Sequence, residues 1–264
     1  MLRRWLPVGL ALAVVAGVVA WALAGLPGAP AACPAAGCDC ERTGPGPIRQ
    51  PANAWSSLAL AAAGIASLAS ARRRIQRTPS PPALSRWCGR GGAAAFALVL
   101  AGTAAFLFHA GLSAWAARLD GIAAGALVAA LALHAWWARH RAACCPLHEA
   151  ASGAAGSRPD TKAASLLPRC RGGGSRMRGA WAATLLPWLL LAGGGVCWAL
   201  GRSGGPWCRP GSLLQAHAAW HLLAACAIFL WLRRGHSEDG GASAIPPRHL
   251  PSRREGEASH EPAP

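Results

Sequence analysis

Apolar residues in this chain of 264 residues are not scattered. They are blocked into runs of about 20, the length a helix needs to cross the hydrocarbon of a bilayer. The runs extend from Trp5 to about Leu26 and then over about 53–71, 92–112, 115–138, 178–200 and 212–232. Hydrocarbon offers backbone N–H and C=O groups no partner, so a run that spans it must close its hydrogen bonds within itself, as a helix does. The expected fold is therefore all-α: a polytopic transmembrane helix bundle of about six spans. Charged residues are only 14% of the chain, yet the formal net charge is +16. Such a balance suggests nucleic acid at first sight. The arginines argue against it, because they lie in the segments between apolar runs rather than along one soluble face.

Those arginines instead set topology. Arg72, Arg73, Arg74 and Arg77 follow the second run; Arg139, Arg141, Arg169, Arg171 and Arg176 separate the fourth from the fifth; Arg233 and Arg234 follow the sixth. By the positive-inside rule these segments are cytoplasmic and both termini lie inside. The segment 33–52, the tight turn near 112–115 and the loop 201–211 then face outward. Three parts follow: residues 1–32 as an N-terminal anchor helix or signal peptide, residues 33–235 as the bundle with a cytoplasmic loop at 139–177, and residues 236–264 as a disordered cytoplasmic tail. Heavy use of Ala, Arg, Gly and Pro, with no tyrosine, points to a GC-rich genome and a bacterial inner membrane.

The chemistry-bearing residues collect on one side of that membrane. His217 and His221 are four residues apart in the first turns of the last run, which puts both imidazoles on one helix face, roughly 6 Å apart. His109 lies about one turn from the outer end of the third run. Asp120, the single acid inside an apolar run, lies about one turn into the fourth. A carboxylate in a span is costly unless it has a partner, and marks function by default. Three neutral imidazoles with one open position are the layout of a catalytic zinc site, and a nearby carboxylate can orient a ligand or take a proton from bound water. The expected zinc ligands are His109, His217 and His221, with Asp120 as the catalytic acid/base.

Other candidates are weaker. His134 stands beside Trp136 and Trp137 at the inner end of the fourth run, where an interfacial anchor explains it. Gly193-Gly194-Gly195 within an apolar run suggests close helix packing or a kink. Cys33, Cys38, Cys40 and Cys208 face an outer, oxidising compartment where a disulfide can form, although the sequence does not name the pair.

Taken together, Cys40-Glu41, the stretch Ile48-Arg49-Gln50-Pro51-Ala52-Asn53-Ala54-Trp55-Ser56-Ser57-Leu58, Phe108-His109 followed by Asp120, and His217-Ala218-Ala219-Trp220-His221 resemble the alkaline ceramidase family. They also resemble the wider superfamily of membrane hydrolases that includes adiponectin-receptor-like proteins. The likeness runs from about residue 38 to 232 as separated motifs. It implies a seven-helix bundle with zinc on His109, His217 and His221, and Asp120 as the aspartate near the metal. It also implies calcium near the outer segment, with Glu41 and Asn53 matching two of the ligand positions. Asp39 is acidic and adjacent but falls outside the matching register. Two positions depart from the family pattern: Ala105 stands where a serine is frequent, and Gln50 where a second acid is expected.

The function expected is a zinc-dependent amide hydrolase cleaving the N-acyl bond of ceramide or a related membrane lipid by a metal-activated water. The alternative is a receptor-like or lipid-binding membrane protein that keeps the metal site for structure.

Overall fold

The computed structural model describes residues 5–28, 39–75, 91–154 and 177–238. The expected loop from 155 to 176, the tail from 239 onward, Cys33 and Cys38 lie outside them. All regular structure among the described residues is helical: α1 (Leu6–Ala24), α2 (Pro51–Ile75), α3 (Gly92–Gly111), α4 (Ala114–Ala154), α5 (Met177–Leu200) and α6 (Ala216–Glu238). Five of these, all but α5, are long and apolar enough to cross a bilayer. The fifth run, expected over 178–200, is helical along its length as α5, with Leu185–Leu200 as an apolar stretch within it. The protein is thus an all-α, multi-pass membrane bundle.

Two boundaries differ from the sequence reading. Helix α4 does not stop near 138 but continues to Ala154, through the first part of the segment expected to be a disordered loop. Six alanines from 138 to 154 supply helix propensity without any hydrophobic periodicity, which is why periodicity did not show it. Helix α6 begins at Ala216 rather than near 212, because residues 209–215 form turns held by the buried Gln215, whose amide donates to the Arg209 and Ser212 carbonyls.

Successive helices run up and down. The C-terminal ends of α1, α3 and α5 therefore meet the N-terminal ends of α2, α4 and α6 at one end of the bundle. Helix α2 is central and packs on both α3 and α6; α5 lies against α6, α4 against α3, and α1 against α2 and α3. The indole of Trp115, at the start of α4, donates to the Pro27 carbonyl (3.2 Å) and stacks on Trp21, tying the end of α1 to the same end.

Close approach makes the central seam. A Cβ at Gly102 on α3 would meet the Ala61 amide and lie 2.9 Å from the Ser57 carbonyl oxygen, so only glycine lets α2 and α3 come together there. Of the glycine triplet, only Gly194 is at a contact: a Cβ there would stand 2.7 Å from the Trp220 ring of α6, whereas Gly193 and Gly195 have open space. Away from the histidines the interior is alanine and leucine, with Leu98, Leu68 and Leu232 fully buried. Between α3 and α4 the chain turns in two residues, with Leu112 in the left-handed region (φ 50°) and its N–H closing on the Phe108 carbonyl.

Candidate metal centre

The turn after α3 fixes His109 at the last full turn of that helix. Gln215 fixes the start of α6, and with it His217 and His221. One nitrogen from each of these three rings lies within 4.8 Å of the others, and the ring centroids are 4.6 to 5.4 Å apart. His109 and His221 are buried, and His217 is nearly so. The three histidines expected to share a metal are therefore together, at the end where α2, α3 and α6 converge.

What surrounds the rings decides which nitrogen faces inward. The Gln50 amide nitrogen points at the carbonyl oxygens of Asp39 and Glu41 (both 3.2 Å), so its Oε1 is the atom 2.9 Å from His109 Nδ1 and can only accept. The His109 proton thus sits on Nδ1 and the Nε2 lone pair is free. Ser56 donates its hydroxyl hydrogen to the Asn53 carbonyl (3.0 Å), so its oxygen accepts from His221 Nδ1 at 3.0 Å. His217 Nδ1 lies 2.9 Å from Asp39 Oδ1, close but off the straight line of an ideal hydrogen bond, and a carboxylate likewise only accepts. His109 and His221 are held from outside by hydrogen bonds at Nδ1, and His217 is faced there by the Asp39 carboxylate, an arrangement that leaves three Nε2 lone pairs for a common centre. Outer partners that fix tautomer and orientation are the second half of a histidine metal site. The donor set fits a borderline-soft divalent cation such as zinc.

The outer partners come from α2 and from the strap before it. The backbone N–H of Arg49 and of Gln50 donate to the Ala110 and His109 carbonyls (both 3.0 Å), closing the end of α3. Gln50 therefore grips His109 by backbone and side chain together. Glu41 caps α2: its Oε1 accepts from the Ala52 N–H (2.7 Å) and its Oε2 from the Asn53 N–H (2.8 Å), which places a buried carboxylate at the positive end of the helix. Cys40, between Asp39 and Glu41, forms a disulfide with Cys208 in the α5–α6 loop.

The individual expectations fall out as follows. Asp120 is half-buried on α4, near enough to interact electrostatically with His217 and Asp39, but among the described residues it makes no hydrogen bond or ion pair with an imidazole. The carboxylate that touches the rings is Asp39, which the family register passes over; it also comes within 3.7 Å of His109 Nδ1. Burial resists ionisation of Asp39, but the His217 contact, with His109 and His221 behind it, prevails and holds its carboxyl below the usual range. Of the positions matched to calcium, Glu41 caps α2, and the Asn53 side chain is fully buried with no hydrogen-bond partner among the described residues. Ala105 is buried one turn before His109. Thr103 does not replace the missing hydroxyl, since it donates to the Val99 carbonyl (2.7 Å). His134 packs edge-on against Trp231 of α6, far along both helices from the other three histidines.

Sequence reasoning missed Ser56 and undervalued Asp39 and Gln50. A signal for part of this was present: Gln50, Asn53 and Ser56 recur at helical spacing at the head of an otherwise apolar run, which marks a polar face. No protein-family model matches the chain, and comparison with curated proteins and with solved structures finds no match.

Proposed function

We propose that the protein is a zinc-dependent amide hydrolase acting on a membrane lipid, with His109, His217 and His221 as the metal ligands. The observation that carries the reading is the convergence of one nitrogen from each of three rings within 4.8 Å, with Gln50 and Ser56 bonded to Nδ1 of His109 and His221 and the Asp39 carboxylate facing Nδ1 of His217. Bound there, zinc would supply a Lewis acid for a carbonyl oxygen and a water acidic enough to ionise near neutral pH. The chain's own residues would do the rest. Gln50, Asp39 and Ser56 hold the rings in register. Asp120, whose carboxylate is not committed to an imidazole among the described residues, is the proton acceptor. The apolar faces of the spans admit acyl chains from the bilayer, so the substrate class is an N-acyl lipid, ceramide or a relative of it, with its headgroup at the histidine end. That end is assigned to the periplasmic side of a bacterial inner membrane, because the arginine-rich segments flank the other end.

Purification in mild detergent without chelator, followed by metal analysis, tests the first half. One zinc per chain is expected for the wild type and none for His217→Ala. A wild-type protein free of zinc would sink the reading. Release of fatty acid from an N-acyl sphingoid lipid, lost in His217→Ala and in Asp120→Asn, tests the second half.

One observation favours the alternative of a receptor-like or lipid-binding protein. With Ala105 at the position of the family's serine and Thr103 bonded within its own helix, α3 presents no free hydroxyl at that turn. This reading predicts zinc and a co-purified lipid but no turnover of any long-chain amide.

A further inference from the structure

Asp39 is an unexpected residue to find against two metal-ligand imidazoles. It is not on a helix. It belongs to the strap 39–42, which runs beside the α5–α6 loop and is tied to it at three of its four residues: a bridge from Asp39 to Arg202, the Cys40–Cys208 disulfide, and a hydrogen bond from the Arg42 N–H to the Pro210 carbonyl (2.9 Å). From below, the Gln50 amide holds the strap's Asp39 and Glu41 carbonyls. The Asp39 side chain is only 16% exposed and is turned inward, with Oδ1 2.9 Å from His217 Nδ1 and Oδ2 3.7 Å from His109 Nδ1. A carboxylate this far from water is costly unless it has a partner. A divalent cation on the far side of those rings offsets that cost, because the carboxylate then neutralises part of the charge through the imidazoles.

We infer that Asp39 is a positioning residue of the metal centre, orienting His217 and raising its basicity, and that the Cys40–Cys208 disulfide is the clamp that delivers it. The inference rests on the metal reading above and extends it to a residue outside the family's register. It makes metal retention depend on the oxidised state of a bond that touches no metal ligand. Reduction frees Cys40 from the loop, the strap loses its central tie, and Asp39 moves away from His217.

The test is zinc affinity, measured on the detergent-purified full chain by competition with a chromophoric chelator, together with the visible spectrum of the cobalt(II)-loaded protein. Asp39→Asn keeps the shape and an accepting oxygen and removes the charge. It is expected to weaken zinc binding about 10- to 100-fold, the usual effect of losing an outer partner, and to shift the cobalt bands while the thermal midpoint stays near that of the wild type. Asp39→Glu should recover part of the affinity. Cys40→Ser with Cys208→Ser should weaken binding in the same direction, and adding Asp39→Asn to that pair should cost less than it does alone, since the two act through one contact. If the serine pair does not fold, faster zinc release from folded wild type under a phosphine reductant reads the same property. An Asp39→Asn protein with affinity within about twofold of wild type and an unchanged cobalt spectrum overturns the role of the carboxylate. Release unaffected by the reductant overturns the clamp. Failure of the wild type to bind zinc at all overturns the metal reading, and this inference with it.

Discussion

The two ends of this bundle bury polar side chains by opposite rules. Along the seam and at the far end, hydroxyls fold back onto their own helices: Ser67 to the Ala63 carbonyl, Thr103 to Val99 and Ser57 to Ala54. Such groups satisfy themselves and bind nothing else, and the helices there are held by small residues in close contact. At the histidine end the bonds cross between elements. Gln50 of α2 reaches His109 of α3, Ser56 of α2 reaches His221 of α6, and Asp39 of the strap reaches His217. The same helix, α2, obeys both rules within two turns, at Ser56 and Ser57. One end is built for packing and the other for placing imidazoles.

If that division is right, mutations at the two ends separate stability from metal binding. The largest contrast is between two histidines. His109→Ala is expected to abolish stoichiometric zinc, whereas His134→Ala, at a residue packed against Trp231 away from the cluster, leaves the metal content unchanged. Metal analysis of the two purified variants decides it; zinc loss in both would break the contrast. Next comes the far-end core. Leu232→Ala empties a fully buried position and should cost about 2–5 kcal/mol of stability, with zinc affinity unchanged in the folded protein. Gly102→Val pushes a side chain into the backbone of α2 and should cost about 1–3 kcal/mol or more, since neither helix can yield locally. Thermal unfolding in detergent reads both. The smallest effect is at Ser56→Ala. It removes one acceptor from His221 and should change stability by only about 1 kcal/mol, while weakening zinc about tenfold. An equal response of affinity to Leu232→Ala and Ser56→Ala would mean that the ends are not separable.

Most of the fold was legible in the sequence because lipid simplifies the problem. Apolar runs of bilayer length must be helices, and alternation of arginine-rich segments orders their ends, so His109, His217 and His221 could be placed at one level before any coordinate was known. One element escaped for a physical reason. The extension of α4 to Ala154 rests on alanine propensity, which leaves no periodic mark. At the site, the grouping of the three histidines was legible and the residues around them largely were not. Helical spacing ties His217 to His221, but no spacing rule ties Asp39 to His217 across 178 residues; only the strap does. Cys40 and Cys208 were readable as cysteines at one end of the bundle, not as a pair, because pairing depends on which loops the packing of α2 against α6 brings together. Gln50 stood out as a departure from a family pattern, while its job as a tautomer-setting acceptor required the position of the strap carbonyls.

The order in which the site's parts are synthesised has its own consequence. The outer supports occupy residues 39–56, the first of the grouped histidines is His109, and the other two arrive only with α6. The disulfide that closes the strap spans 168 residues, and its second cysteine, Cys208, precedes α6. A chain synthesised as far as Cys208 can therefore close the strap while it carries only one of the three grouped imidazoles, and it cannot hold a metal by this set. The support can be completed before the centre it supports.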